Sequence, residues 1–431
     1  MPVRHVPCLV ATLSAIAVLI SVSAAPAHLL LGPEQLVQAD SVDIGVPGYS
    51  VPSFAMWDAD SLPDLIVGEG SGVSPDARIR VYPNAGGPGD PLFEGFTYAQ
   101  SESADLVVTG GGCLGVFPRV VHWDGDGLKD LLLGLADGHV RIYLNVGEPG
   151  APQFDAGADV ETGPSGFKTS IDVGSRATPT VVDWNGDGLK DLVVGALDGK
   201  LHVFVNAGSD TVPDFPAEIY AQAGAGDLVV PSGRSSPHIL DYDHDGKKDV
   251  LSGNTDGRIL FYSNVGTDEV PAFSGYSYVE ADSAAIDLPG TPRSRPFACD
   301  WTGDGFLDLL VGSGDGHVHL FQGIEHEHWA SVPGGDGALE SVVLMGAYPN
   351  PSHAAASIPF VLERPKRVTV SIYDVAGRRV SVLADRVFPS GRNQIRWGGT
   401  DEEGKALPSG VYMVRLDAGT ESARGKLILL R

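Results

Sequence analysis

The chain has 431 residues, of which 56 are glycine and 31 are proline, and its formal net charge is -26 at pH 7. The length exceeds that of one ordinary core, and the glycine and proline content favours many short strands with tight turns over long helices. The negative charge excludes a surface for nucleic acid or anionic lipid, because both partners would be repelled.

Residues 1–27 have the features of a secretory signal peptide. Arg4 precedes an apolar run that begins at Cys8, and small residues at 22–24 and 25–27 offer cleavage sites. The run is shorter than the roughly 18 residues that a membrane span needs, so a membrane anchor is the weaker interpretation. We therefore expect an exported protein that has no membrane span after removal of the signal.

A nine-residue acidic pattern occurs five times, at intervals of roughly sixty residues. The copies, numbered here as loops one to five, are MWDADSLPD from Met56, HWDGDGLKD from His122, DWNGDGLKD from Asp183, DYDHDGKKD from Asp241 and DWTGDGFLD from Asp300. A proline and an apolar stretch precede each copy, and an apolar run that ends in glycine follows it. With the alternating segments further on, each unit predicts four strands, which is typical of a propeller blade.

The two ends of the repeat array complement each other. The fifth unit stops after its third strand, at 318–323, and residues 33–45 resemble the fourth-strand region of the other units. We therefore predict an all-β fold, with a five-bladed β-propeller over residues 28–325 whose last blade is closed by the N-terminal strand. Closure of this kind leaves no unfinished sheet edge. A linker at 326–346 and a small Ig-like β-sandwich at 347–431 should follow.

The repeated units resemble FG-GAP or VCBS repeats, the calcium-binding blades of integrin-α-like propellers, over roughly residues 30–325. The resemblance implies that each acidic loop joins the first two strands of a blade. It also implies that Ca²⁺ is bound by the side chains at places one, three, five and nine and by the backbone carbonyl at place seven. Oxygen ligands in flexible coordination favour Ca²⁺ over Mg²⁺, zinc or copper.

The five loops match this ligand set to different degrees. Loops three and four are complete, loop five has a neutral threonine at place three, and loops two and one have His122 and Met56 at place one. Ser61 also replaces a glycine in loop one. We expect two to five structural Ca²⁺ ions, and a solvated acidic turn without metal is the alternative. The expected ligands are Asp183, Asn185, Asp187, Leu189 and Asp191 in loop three; Asp241, Asp243, Asp245, Lys247 and Asp249 in loop four; Asp300, Thr302, Asp304 and Asp308 in loop five; Asp124, Asp126 and Asp130 in loop two; and Asp58, Asp60 and Asp64 in loop one.

The C-terminal residues 347–431 resemble modules that end exported bacterial proteins, namely flagellar hook-cap-like Ig domains and type IX sorting domains. The resemblance rests on AYPNPS from Ala347, VSIYDVAGRRV from Val370, LPSGVYMVRL from Leu407 and GKLILLR at the end. A sorting domain implies recognition by an outer-membrane secretion machinery. An Ig-like spacer without an address role is the alternative.

Three arginines lie three residues before the repeat proline: Arg176, Arg234 and Arg293. In a propeller they occupy equivalent positions on neighbouring blades, where they would form a shared site for an anionic ligand. The alternative, which the acidic composition favours, is that they pair with carboxylates of adjacent blades.

The sequence contains no nucleophile elbow, phosphate-binding loop or zinc-protease motif. We expect a monomeric, calcium-stabilised module that is not an enzyme and that binds a protein or glycan at the cell surface. The alternative is a secreted lyase or glycosidase on the same scaffold, which needs paired carboxylates in a central cleft outside the acidic loops. Cys113 and Cys299 fall in non-neighbouring units, so we expect no disulfide between them.

Overall fold

A computed structural model describes residues 31–70, 76–87, 89–109, 112, 115–243, 245–282, 284–290, 292–323, 342–344, 352, 356–362, 364–374, 377–419 and 421–429. Every regular element within these ranges is a β-strand, so none of them contains a helix that could cross a membrane. The predicted signal peptide and Cys113 lie outside the described residues, and Cys299 is a free cysteine.

Five antiparallel sheets follow one another along the chain. In each of the first four, the strands lie side by side in chain order. Each acidic loop joins the first and second strands of its sheet. The first sheet contains Val51–Ala55, Asp64–Gly70, Ala77–Tyr82 and Thr97–Tyr98; the second Phe117–Val121, Asp130–Gly134, Val140–Tyr143 and Ala158–Asp159; the third Thr178–Val182, Asp191–Gly195, Leu201–Phe204 and Ile219–Tyr220; the fourth Ser236–Leu240, Asp249–Gly253, Ile259–Tyr262 and Ser277–Tyr278; the fifth Arg295–Cys299, Asp308–Gly312 and Val318–Gly323.

The N-terminal strand Leu31–Leu36 lies beside the third strand of the fifth sheet. It pairs antiparallel with Val318–Gly323, with Leu36 opposite His319. The Nδ1 atom of His319 lies 2.6 Å from a carboxylate oxygen of Glu34, which adds a polar contact to the backbone ladder.

Short two-residue ribbons lead from each outer strand toward the next sheet. They are Gln38–Ala39 with Val42–Asp43, Gln100–Ser101 with Ala104–Asp105, Glu161–Thr162 with Thr169–Ser170, Gln222–Ala223 with Gly226–Asp227, and Glu280–Ala281 with Ala284–Ala285.

Neighbouring sheets pack face to face through five hydrophobic clusters, and one of these clusters joins the fifth sheet to the first. A glycine at the end of each second strand, or two residues before it in the first sheet, permits this approach. A Cβ atom on Gly134 would lie 2.1 Å from the carbonyl oxygen of Ala177 in the next sheet, and one on Gly312 would lie 2.2 Å from that of Ser50. Only glycine fits where two backbones come this close.

The aromatic residue at place two of an acidic loop packs against the following sheet. The ring of Trp184 lies 6.3 Å from that of Phe273, and the ring of Trp301 lies 5.7 Å from that of Phe93. Tyr242 shares a buried cluster with Leu31 of the N-terminal strand. The loops are therefore anchored at place two in the cores between sheets.

The C-terminal unit consists of two sheets around one core, in which Trp397 and Phe360 are fully buried. One sheet contains Val342–Leu344, Ala356–Leu362 and Gly391–Trp397, and the other contains Arg379–Phe388, Lys366–Asp374, Gly410–Ala418 and Glu421–Leu429. The predicted linker 326–346 is wrong at its end, because Val342–Leu344 pairs with Ala356–Leu362. Leu344 of this strand is partly buried against the core of the C-terminal unit, which favours the strand over an exposed linker.

Candidate metal loops and an arginine-lined cavity

The aspartate at place nine closes all five acidic loops in the same way. Its Oδ2 atom accepts a hydrogen bond from the backbone N–H of place two, at 2.6 to 3.1 Å. Its Oδ1 atom accepts one from a backbone N–H just beyond the third strand, or at its end in the fifth sheet, at 2.7 to 2.9 Å. These buried residues are Asp64, Asp130, Asp191, Asp249 and Asp308. Place nine therefore holds the fold in every loop, whatever else it binds.

The carboxylate at place five shapes the turn of each loop. In loop four the Oδ1 atom of Asp245 accepts the N–H of Lys247 at 2.9 Å, and the equivalent bond in loop three joins Asp187 to Leu189 at 2.8 Å. Bonds of this kind fold the loop back on itself. The side chains at places one, three, five and nine are thereby drawn toward one another.

Place one separates loops three to five from the other two. In these three loops an Oδ2 atom of the place-one aspartate accepts the N–H of the place-six glycine, at 2.9 to 3.1 Å. The aspartates are Asp183, Asp241 and Asp300. Each of these loops therefore has a place-one carboxylate that loops one and two lack, and loop four is the one with four carboxylates, because place three is Asn185 in loop three and Thr302 in loop five.

Loop four brings three carboxylates to one point. Oxygen atoms of Asp241, Asp243 and Asp249 lie within 4.8 Å of one another. Burial raises the pKa of Asp249 to about 7, and the charges of Asp243 and Asp241 add to the shift. A hard cation would relieve this repulsion, so the oxygen set fits Ca²⁺. On its exposed side, Asp245 is paired with Lys247 at 2.8 Å.

Loop five contains a buried acceptor without a protein partner. Among the described residues, the Oδ1 atom of Asp300 has no hydrogen-bond donor although it is shielded from solvent. Burial raises the pKa of Asp300 to about 7, and Asp304 and Asp308 contribute to the shift. Loop five therefore fits a bound cation as well, and burial likewise raises the pKa of Asp191 in loop three to about 6.

Loops one and two are closed by protein groups instead. In loop two the Nδ1 atom of His122 lies 2.8 Å from the carbonyl oxygen of Leu128, the place-seven oxygen that would face a metal. The ammonium of Lys190, from loop three, donates to the carbonyl oxygens of His122 and Trp123. In loop one the ammonium of Lys129, from loop two, donates to the carbonyl oxygen of Asp58 at 3.2 Å.

One cavity is lined by the three arginines that the sequence analysis predicted to converge, Arg176, Arg234 and Arg293. Arg295 and Ser236 also line it. The three arginines precede the first strands of their sheets, whereas the acidic loops follow those strands. The cavity and the acidic loops therefore lie at opposite ends of the first strands. No described residue that lines the cavity is a carboxylate, so the paired acids expected of a glycosidase are not found there.

A wider groove beside the first two sheets does contain two carboxylates, Asp105 and Asp155. Both are engaged in the fold: Asp155 accepts the backbone N–H groups of Leu144 and Gly157, and Asp105 accepts a hydrogen bond from Gln100. Their bonds are those of turn and strand residues and not those of a catalytic pair.

These features define a class of protein: an all-β repeat protein with Asp-rich loops between the first two strands of each unit, followed by a β-sandwich. Residues 183–252 and 241–311 match the FG-GAP-like repeat, and residues 352–422 match the FlgD Ig-like domain. The chain thus contains FG-GAP-like repeats and an FlgD Ig-like domain.

A segment of 149 residues is 26% identical to Integrin alpha-4 of Xenopus laevis, and it spans 32% of this chain and 14% of the integrin. The chain is also similar to PorZ of Porphyromonas gingivalis, described as a bacterial surface component of the type-IX secretion system (15% identity, 92% of this chain, 47% of that chain, TM-score 0.32). A third likeness is to the Tc holotoxin pore of Photorhabdus luminescens (12% identity, 89% and 21% of the two chains, TM-score 0.33). The two TM-scores are too low to support any argument about function.

Several residues of these sites were missed by sequence reasoning. Lys129 and Lys190 both stand at place eight, and only the stacking of sheets brings them to the preceding loop. Arg295 and Ser236 stand directly before the repeat proline of their units. This shared position could have indicated that they lie near the three predicted arginines. The expected Ca²⁺ ligation by the carbonyl groups of Leu189 and Lys247 stays a prediction.

Proposed function

We propose that this protein is an exported β-propeller of five blades, stabilised by Ca²⁺, that acts as a binding or adhesion module at the cell surface. The observation that carries the proposal is the carboxylate crowding in loops three to five, where Asp241, Asp243 and Asp249 converge and Asp300 has a buried oxygen without a donor. Crowded buried carboxylates are unfavourable unless a cation joins them.

Circular closure of the five sheets is part of this proposal. It is supported by the pairing of Leu31–Leu36 with Val318–Gly323 and by the packing of Gly312 against Ser50, which repeats the packing between the other neighbouring sheets. A ring without open edges suits a protein that presents loops to a ligand, because a rigid scaffold lowers the cost of ordering them on binding.

The C-terminal Ig-like domain is proposed to take the chain to the cell surface through an outer-membrane secretion machinery. The support is the match of residues 352–422 to an Ig-like domain and the resemblance to sorting domains. Deletion of residues 342–431 should leave the protein inside the producing cell if the domain is an address. Unchanged export of the shortened chain would identify it as a spacer.

The metal part of the proposal is tested by thermal unfolding of the chain without its signal peptide, in Ca²⁺, in Mg²⁺ and in chelator, together with a count of bound ions. Ca²⁺ should stabilise more than Mg²⁺, by about 2.7 kcal/mol per site at a hundredfold excess over Kd. At least two ions per chain should bind. Identical unfolding in Ca²⁺ and in chelator would contradict the proposal.

The binding part is tested by incubating the protein with neutral and acidic polysaccharides. A binding module should bind one of these two classes of polysaccharide, and it should release no new reducing ends or unsaturated products from it. Turnover that is lost on replacing Asp105 or Asp155 by asparagine would instead support the enzyme alternative, with Asp159→Asn as the control at a neighbouring ion pair.

A further inference from the structure

The arginine-lined cavity gathers positive charge in a chain that is strongly acidic. Arg176, Arg234, Arg293 and Arg295 line it, and no described lining residue is acidic. The chain has 55 acidic residues against 29 Lys and Arg, so carboxylates were abundant as partners. Among the described residues, however, neither Arg234 nor Arg293 forms an ion pair with one. The pairing alternative of the sequence analysis therefore does not account for these two side chains.

Three of these arginines adopt the same unfavourable backbone conformation. Arg176, Arg234 and Arg293 have φ angles of 61°, 60° and 44°, in the left-handed region where glycine is the usual residue. The equivalent residue of the second sheet is Gly115, with φ 101°. Each non-glycine residue costs about 1 to 2 kcal/mol in this region. This backbone strain occurs at three positions around one cavity. Backbone strain that recurs in this way is typical of functional positions.

Two buried polar atoms at the cavity have no protein partner. Arg295 is 5% exposed and Ser236 is 3% exposed. The Nε atom of Arg295 and the Oγ atom of Ser236 make no hydrogen bond within the described part of the chain. An unsatisfied buried donor costs about 1 to 3 kcal/mol, so both atoms are placed to donate to a ligand.

The positive charges of the arginines that line the cavity repel one another. Burial lowers the pKa of Arg295 to about 9, and Arg234, Arg176 and Arg293 contribute to the shift. Burial, with Arg176 and Arg293, also lowers the pKa of Arg234 to about 10. The rings of Tyr49 and Phe117 stack against Arg295, with Tyr49 also stacking on Arg293, but these contacts supply no negative charge. An anion is the group that would relieve this repulsion.

We propose that this cavity binds a compact tetrahedral oxyanion of the sulfate or phosphate type, either free or as an ester on a larger ligand. Donors come from three neighbouring sheets, and four oxygens pointing in different directions satisfy such donors better than one planar carboxylate. This inference deepens the proposed binding function, on which it rests, by naming the site and the chemistry of its ligand.

The test is calorimetric titration of the chain with sulfate at constant ionic strength, in millimolar Ca²⁺. The chain should bind sulfate saturably, and acetate should bind far more weakly. Arg234→Gln should weaken sulfate binding by about tenfold or more, because one charge-assisted donor is lost. Its unfolding temperature without sulfate should not fall, since the repulsion at the rim is reduced.

Arg258→Gln is the matched control. This arginine lies in the same sheet and pairs with Asp287, outside the cavity. It should leave sulfate binding unchanged. Absence of saturable binding of sulfate and phosphate, equal affinity in Arg234→Gln, or an equal loss in Arg258→Gln would each overturn the proposal. Tighter binding of a sulfated monosaccharide than of sulfate would identify an ester as the ligand, and equal or weaker binding would identify the free ion.

The two proposals fail in different ways. A protein that binds sulfate but does not respond to Ca²⁺ retains the oxyanion site and loses the metal part of the proposed function. A protein that responds to Ca²⁺ and retains a polysaccharide, but binds no oxyanion, keeps the proposed function and loses this site.

Discussion

Loops one and two differ from loops three to five in the groups that close them, although all five have the same backbone frame. The first two contain His122 against the carbonyl of Leu128, and Lys129 and Lys190 from the following unit. The other three contain an aspartate at place one, and the lysine at place eight of loop four pairs with Asp268 of its own sheet. One frame therefore supports closure by protein cations and donors, or a pocket of oxygen atoms suited to an ion.

The largest expected difference concerns pH in chelator. The raised pKa values of Asp249 and Asp300, about 7, and of Asp191, about 6, mean that the folded protein binds protons that the unfolded chain, with pKa near 3.8, does not. The metal-free protein should therefore lose stability as pH rises from about 4 to about 7, by several kcal/mol. Urea unfolding across this range measures it.

With saturating Ca²⁺ the slope should reverse, because bound Ca²⁺ requires the deprotonated carboxylates. If stability falls with rising pH equally in Ca²⁺ and in chelator, loops three to five do not bind Ca²⁺ and the two groups of loops do not differ in this respect.

Removal of a place-nine aspartate should affect both groups equally. Asp64→Ala and Asp249→Ala each leave at least two backbone N–H groups without an acceptor, at a cost of about 2 to 5 kcal/mol in chelator. Chemical denaturation measures the loss, and Asp60→Ala at the exposed place five, which removes one exposed bond to the N–H of Leu62, should lose less. A loss for Asp249→Ala that occurs only in Ca²⁺ would show that place nine serves the metal and not the frame.

Asp241→Asn should affect only the ion. In chelator it removes one of three crowded charges and should leave stability unchanged or slightly higher. In Ca²⁺ at a hundredfold excess over Kd it should abolish a contribution of about 2.7 kcal/mol and one bound ion. The same substitution in loop two, Asp124→Asn at place three, should leave the ion count unchanged, and an equal loss there would make the two groups of loops indistinguishable.

His122→Asp should convert loop two into a loop suited to an ion, like loops three to five. The bond to the carbonyl of Leu128 is lost, which should lower stability in chelator by about 1 kcal/mol. In Ca²⁺ the completed ligand set should bind one additional ion, which mass spectrometry of the native protein would count. His122→Asn, which restores no charge, should bind none.

Lys129→Met should have the smallest effect, about 1 kcal/mol, through the loss of the hydrogen bond to the carbonyl of Asp58. Because Lys129 and not an ion closes loop one, the loss should be the same in Ca²⁺ and in chelator. Lys405→Met in the C-terminal unit serves as the control. A loss confined to chelator would show that loop one also binds a cation.

The all-β class and the four-stranded units could be predicted because turn residues, alternating strands and the acidic loops recur in phase. The convergence of Arg176, Arg234 and Arg293 also followed from equal distance to the repeat proline. The contacts of Lys129 and Lys190 could not, since they depend on lateral stacking of sheets. The strand Val342–Leu344 was missed because its pairing partner is set by tertiary structure and not by local pattern.

The pairing of the N-terminal strand with Val318–Gly323 links folding to the order of synthesis. Glu34 and His319, which meet across this pair, are 285 residues apart in the chain. Contacts of such high contact order form slowly, and the N-terminal strand lacks this antiparallel partner until Val318–Gly323 has been synthesised. The nascent chain therefore remains vulnerable to aggregation and open to chaperones for most of its synthesis.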